Sequence, residues 1–188
     1  MNIYEACPEL ETGRFMLRQV RKEDASDLLK VYSDPKAVPL FNSDNCSGDD
    51  FHYRTLDRMA KAIDFWAFSY EHQYFVRWSL IDKQVQEAVG TVEAFRREAE
   101  DAFTDTVLLR LDLRSDYENE ETLYELLFSI AMPLCGWFEC GSITTKAAPV
   151  AAERRAALKK LGYLESGQAL AGHRGEEYRH YFVLRMYA

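Results

Sequence analysis

Hydrophobic and polar positions divide this chain into strand-like and helix-like stretches. In "RFMLRQV", residues 14–20, Phe15 and Leu17 fall two apart between polar neighbours, the period of a half-buried strand. "RKEDASDLLKVYSD" follows with an acidic first turn and Ala25, Leu28, Leu29 and Tyr32 at helical spacing. "DPKAVPLFNSDNCSGD" holds prolines, Asn, Ser and Gly and reads as loop or broken helix. From Asp49 onward, Leu56, Met59, Ala60, Ile63, Ala67 and Tyr70 step by three or four, which predicts a helix to about residue 70.

"YFVRWSLID" and "EAVGTVEAFRRE", rich in β-branched and aromatic residues, are joined by the polar "DKQVQ" as an antiparallel hairpin would be. "TVLLRLDLR" adds a third consecutive strand, with Val107, Leu109, Leu111 and Leu113 on one face. The clearest helical stripe comes next: Leu123, Leu126, Leu127, Ile130 and Ala131. Pro133 should kink or end that helix, because proline removes one hydrogen bond and crowds the preceding turn. "CGSITTKAAP" predicts a short strand, "VAAERRAALKKLGY" a helix closing on Gly162, and "EYRHYFVLRMYA" a last strand. The order implies an α/β (α+β) fold, one domain over 1–188, with a central mixed, mostly antiparallel sheet flanked by helices.

Composition narrows the function. The formal charge is −8, from 31 acidic and 23 basic side chains, with no Lys/Arg block to track phosphates, so a nucleic-acid partner is not expected. No apolar run reaches the roughly 20 residues that span a bilayer, and "MNIYEACPELETGR" lacks a basic start leading into an apolar segment. The expectation is therefore a cytoplasmic protein with no membrane partner. Cys7, Cys46, Cys135 and Cys140 match no zinc or redox spacing and read as reduced thiols, and the four histidines form no metal-binding pair.

Several strings, in order, resemble the GNAT superfamily of acyl-CoA-dependent N-acyltransferases, in the branch similar to ribosomal-protein alanine acetyltransferases. "ELETGRFMLRQVRKEDASDLLKVYSDP" looks like that branch's opening, "VGTVEAF" like its glycine-containing strand, and "ALKKLGYLESG" like its late Lys-x-Gly-aromatic signature. The resemblance implies a GNAT-like fold, acetyl-CoA as cofactor, and transfer to a primary amine on a small molecule or a peptide. Backbone groups around Leu111 and Leu113 would bind the pantetheine arm like an added strand. Glu93, sharing a face with Thr91 and Phe95, would be the general base, with Asp112 in that role if the register turns it inward.

One segment departs from the family pattern. Where relatives carry an Arg/Gln-x-x-Gly-x-Gly/Ala turn whose amides approach the coenzyme diphosphate, this chain reads "DYENEETLYELL". Glu118 stands where Arg is usual, Asn119 and Glu121 where glycines are usual, and Leu123 where a small Ala is usual. Carboxylates complement a helix N-terminal dipole and Asn119 is a good N-cap, so the helix would be stabilised by its own side chains. Further on, Ala151, Arg154 and Leu158 replace the usual Asn, Ser and Tyr. The alternative is therefore a diverged GNAT-fold member without CoA catalysis, acting as a binding or regulatory module.

Other features admit two readings each. The aromatic run "FWAFSYEHQYFVRW" suits core or acceptor pocket, and "ERRAALKK" suits a wet helix face or a patch for the CoA 3′-phosphate. Tyr178 and His180 are candidate cleft liners. "AVPLFNSDNCSGDDFHY" occupies the acceptor-choosing region of the family, and nothing in the sequence fixes the oligomeric state.

Overall fold

The computed structural model describes residues 2–186. Two short strands, β1 (Leu10–Glu11) and β2 (Phe15–Gln19), lead through a 3₁₀ turn into α1 (Ala25–Tyr32). A long loop precedes α2 (Leu56–Glu71), then the meander β3 (Val76–Asp82), β4 (Glu87–Arg97) and β5 (Thr106–Leu113). Next come α3 (Glu120–Phe138), β6 (Ser142–Lys146) and α4 (Ala152–Lys160). The chain finishes with β7 (Leu164–Glu165), the two-stranded β8 (Leu170–Ala171) and β9 (Glu177–Tyr178), and β10 (Tyr181–Arg185). The main sheet runs β1-β2-β3-β4-β5-β6-β10-β7, antiparallel except between β5 and β6. Among the described residues no helix is long and apolar enough to cross a membrane, and the four cysteines are unpaired thiols.

The two faces of the sheet differ in chemistry. Trp78, Leu80, Val92, Ala94, Leu109, Leu111 and Leu113 point to one side and pack with Leu123, Leu126, Leu127, Ile130 and Leu134 of α3. This is the stripe the helical period marked, and alternation along β3 to β5 supplies its partner surface. The opposite face carries Arg77, Ser79, Thr91, Glu93, Arg110 and Asp112, all buried beneath α1, α2 and the loop between them. Register forces this segregation, because Arg77 pairs with Glu93, Ser79 with Thr91, Glu93 with Arg110 and Thr91 with Asp112.

Four expectations need correction. Helix α2 begins at Leu56, not near Asp49: the Asp49 carboxylate accepts the Phe51 N–H at 2.9 Å in a local turn, and Thr55 caps the helix by accepting from the Arg58 N–H at 3.2 Å. Its buried stripe is Met59, Ala62, Ile63, Trp66 and Ser69, while Leu56 is exposed. Pro133 does not end α3, which continues to Phe138 and stops at Glu139 with φ 53°. The last strand is split, since His180 at φ 69° interrupts the extended backbone between β9 and β10; of "EYRHYFVLRMYA", residues 187 and 188 lie outside the described part.

Candidate functional site

The strand charges on the α1/α2 face form one closed network. Glu93 accepts from Arg110 Nη1 at 2.6 Å through Oε1, and from both Nε and Nη2 of Arg77 through Oε2. Arg77 Nη1 donates to the Tyr32 hydroxyl at 2.7 Å, Thr91 Oγ1 at 3.1 Å and Asp112 Oδ2 at 3.2 Å. Tyr32 in turn donates to Asp112 Oδ2 at 2.8 Å. Two guanidiniums and two carboxylates neutralise one another, the condition under which charges are tolerated in a low-dielectric interior. Trp66 lies under Arg77, with the guanidinium carbon 4.3 Å from the ring centroid.

This arrangement fixes the character of the two candidate bases. Burial alone would raise the Glu93 carboxyl, but Arg77 and Arg110 outweigh it and hold it below the usual carboxylate range. Both of its oxygens already accept hydrogen bonds from guanidinium groups. Asp112 does face inward on the same side of the sheet, and burial pushes its carboxyl up despite Arg77 and Tyr32; its Oδ1 has no protein partner.

A cleft of about 1020 Å³ opens over this floor. Its walls come from the loop after α1 (Cys46, Phe51, Tyr53), from α2 and the start of β3 (Phe65, Trp66, Phe75), and from Phe95 and Leu108 of the strands. The aromatic run is divided by burial: Trp66, 3% exposed, belongs to the core and to the cleft wall, whereas Phe65 and Tyr74 are exposed and line the cleft with Phe75. Tyr178 and His180 are not among its lining residues. Cys46 is there, its thiol pushed up to about 11 by burial, which keeps it protonated at neutral pH.

A second feature lies where β5 and β6 separate. Their pairing covers Val107 to Leu109 against Ile143 to Thr145 and then stops, while β5 runs on to Leu113. The Arg114 N–H bonds to Val89 of β4 at 3.0 Å. By strand alternation, Leu111 and Leu113 turn their backbone groups the other way, toward the opening. Their side chains are in the core beneath α3.

Side chains bridge that wedge, and a hollow of about 460 Å³ remains beside the turn that follows β5, lined by Ser115, Asp116, Glu118, Ala151 and Glu153 among others. Asp44 accepts from Lys146 Nζ of β6 at 2.6 and 2.7 Å and from the Tyr181 hydroxyl at 2.9 Å, while its carbonyl accepts from Arg110 Nη2 of β5 at 2.7 Å. Near the start of α3, Arg154 donates to both oxygens of Glu118, at 2.7 and 2.8 Å, with the side chains 2% and 6% exposed. Arg154 Nη1 also reaches the Leu40 carbonyl at 3.4 Å. The wet-face reading of "ERRAALKK" thus fails at Arg154, which is buried because Glu118 neutralises it.

Several amides of the turn are occupied as well, though those of Asp116 and Glu121 are not. The Ser115 N–H donates to Asp34 Oδ2 at 2.9 Å, the Glu120 N–H to Glu153 Oε2 at 3.0 Å, and the Thr122 N–H to the capping Asn119 side chain at 3.0 Å. Those of Glu118 and Asn119 bond to Ser115 and Tyr117 carbonyls within the turn. Carboxylates belonging to the protein stand at a helix N-terminus of the kind that binds phosphate in other folds. A coenzyme diphosphate fits poorly here, because Asp116, Glu118 and Glu153 line the hollow with negative charge.

Arg77, Arg110, Asp44 and the Glu118–Arg154 pair escaped the sequence reading. Part of the signal was there. Arg77, Glu93, Arg110 and Asp112 sit inside otherwise apolar strands, and charges in strands covered on both faces must find opposite partners.

Comparison with solved structures places the architecture. A GNAT-family acetyltransferase from Bacillus anthracis superposes with a TM-score of 0.70 at 11% identity, covering 95% of this chain and 98% of that one. The fold is that of the GNAT acetyltransferases. Ribosomal-protein-S5-alanine acetyltransferase from Vibrio fischeri matches at 0.63 and 14% identity, over 94% of each chain. RimL, a ribosomal L7/L12 α-N-protein acetyltransferase in complex with coenzyme A, matches at 0.69 and 10%, over 95% of this chain and 98% of that one. By sequence, YoaA of Bacillus subtilis (strain 168), an uncharacterized N-acetyltransferase, is 24% identical over 85 residues. That segment is 45% of this chain and spans 44% of YoaA's length. No family model matches the sequence.

Proposed function

We propose that this chain is a ligand-binding member of the GNAT fold: its coenzyme wedge is bridged by its own side chains and lined with carboxylates at the diphosphate turn, and its working site is the cleft over Arg77, Glu93 and Arg110. The observation that carries this reading is the buried Glu118–Arg154 pair, reinforced by Glu153 on the Glu120 N–H. A diphosphate in the hollow beside this turn would lie against the carboxylates of Asp116, Glu118 and Glu153, with Arg154 already neutralised by Glu118. The cleft, by contrast, has the size and aromatic lining of small-molecule sites.

Acetyl transfer to an amine is the second reading, favoured by the parting of β5 from β6 beyond Leu109. In it Leu111 and Leu113 would offer backbone groups to acetyl-CoA, and Glu93 or Asp112 would take the amine proton. Thermal unfolding during acetyl-CoA titration separates the two. A ligand at 100-fold its Kd adds about 2.7 kcal/mol to stability. The binding-module reading expects no shift at millimolar acetyl-CoA; a saturable rise in Tm overturns it in favour of the transferase.

A further inference from the structure

Residues 43–50, in the loop between α1 and α2, join two packed anchors. Asn42 is 2% exposed with its side chain on the Tyr181 hydroxyl at 3.4 Å, and Phe51 and Tyr53 sit in the aromatic cluster around Tyr32. Between these anchors no helix or strand forms. The backbone bonds made there, from the Cys46 N–H to the Ser43 carbonyl at 3.2 Å and from the Asp49 N–H to that of Cys46 at 3.0 Å, stay inside the segment. Asn45, Ser47 and Phe51 have φ of 61°, 55° and 61°, a left-handed conformation disfavoured above all for the bulky Phe51. Such backbone persists where surrounding contacts hold it.

The segment's side chains supply those contacts by gripping three separate parts of the molecule. Asp44 takes Lys146 of β6 and Tyr181 of β10, and its carbonyl takes Arg110 of β5. Asn45 Oδ1 accepts the N–H of His173, between β8 and β9, at 3.0 Å, and Asp49 pairs with Arg58 of α2. The grip of Asp44 is the buried one, with the Lys146 and Asp44 side chains 21% and 9% exposed against 42% and 29% for Arg58 and Asp49. Exposed pairs hold weakly, so Asp44 carries most of the fastening.

Its position gives that fastening a consequence. Asp44 stands where the pairing of β5 with β6 stops, after Leu109 and Thr145. Next to it, Asn45, Cys46 and Ser47 line the cleft. Arg110 belongs to both places, as part of the cleft lining and as donor to the Asp44 carbonyl. We infer that residues 43–50 are a strap that swings about Asn42 and Phe51, with Asp44 as its latch: closed, it walls the cleft off from the fork between β5 and β6, and open, it joins the two. A segment with so few backbone ties to its surroundings opens locally while the sheet and α3 stay folded. The strap acts in this way whichever cavity is the working site.

Hydrogen exchange of the unsubstituted full chain, followed by NMR across a series of low urea concentrations, tests the swing. The N–H groups of Asp44, Cys46, Asp49 and His173 have their acceptors on the strap or on Asn42. One swing should free them together, with a common protection factor that depends little on urea and lies well below that of Leu127 in α3. Cys46 reports the latch. Its alkylation by iodoacetamide, mapped by peptide mass spectrometry, should be at least tenfold faster in Asp44→Ala and in Lys146→Met than in the parent, with Cys7 and Cys135 unchanged. Unrelated protection among these amides, protection equal to that of Leu127, an unchanged Cys46 rate in either folded variant, or acceleration shared by Cys7 and Cys135 each overturns the inference. Where a variant fails to fold, exchange in the parent decides alone.

Discussion

Arg154 shows how much one side chain decides. It lies 2% exposed against Glu118, so removing either partner strands a buried charge. Arg154→Met and Glu118→Gln should each lower stability by about 3–5 kcal/mol, and the Arg154→Met/Glu118→Leu double variant should recover most of it. Chemical denaturation of all three checks this; additive losses would mean the pair is not coupled. Glu93 carries a pH signature. Its folded pKa is depressed, so it contributes stability above its usual value of 4.5 that is lost as pH falls through the folded value. Asp112 is raised from 3.8 and acts in the opposite sense, adding stability at low pH that fades as pH rises through its folded value. Glu93→Gln should flatten the loss of urea midpoint below about pH 4.5 and be less stable than the parent at pH 7, since Arg77 and Arg110 lose their shared anion. At this scale the sequence was half legible. Glu93 and Asp112 could be singled out by residue type, but that two arginines would saturate Glu93 depends on cross-strand register, which no local pattern states.

Elements were more legible than sites, for physical reasons that differ between them. The α3 stripe of Leu123, Leu126, Leu127, Ile130 and Ala131 is buried as its period implied, because one face of this helix meets an apolar sheet. Helix α2 was read with its stripe partly rotated. Phe65 and Phe68 are apolar yet exposed, whereas Trp66 turns inward over Arg77 and Ser69 is buried with its hydroxyl on the Phe65 carbonyl, so hydrophobicity did not mark the inner face. Two substitutions test element geometry. Glu139 ends α3 in the left-handed region at φ 53°, so Glu139→Gly should stabilise by about 0.5–1 kcal/mol, measured as a rise in Tm. Gly90 is the reverse case. A Cβ there would stand 2.7 Å from Leu113 Cδ2 and 3.2 Å from its Cα, and inside contact distance of the Asp112 carbonyl. Gly90→Ala must push β4 from β5 and should destabilise by about 1–3 kcal/mol. A neutral result would mean the two strands have room to slide.

For the molecule as a whole, the question is whether the GNAT architecture still holds a latent coenzyme seat. The turn sequence alone suggests restoring the family pattern with Glu118→Arg, Asn119→Gly and Glu121→Gly. The structure predicts that this triple variant fails. The introduced guanidinium would face Arg154 in a buried position, and loss of the Asn119 cap removes about 1 kcal/mol more. Closure is distributed over elements far apart in sequence: Glu118 precedes α3, Arg154 and Glu153 sit on α4, and Asp34 follows α1. Adding Arg154→Ser and Glu153→Ala to the triple should remove the like-charge contact and free the Glu120 N–H. If the strands still part as they do beyond Leu109, the five-fold variant should gain a saturable rise in Tm with acetyl-CoA that both the parent and the triple variant lack. Adding salt should weaken that gain, because a newly cationic turn draws the diphosphate electrostatically. A folded five-fold variant with no response to acetyl-CoA would show that Asp44, spanning β5 and β6 through Arg110 and Lys146, closes the wedge by itself.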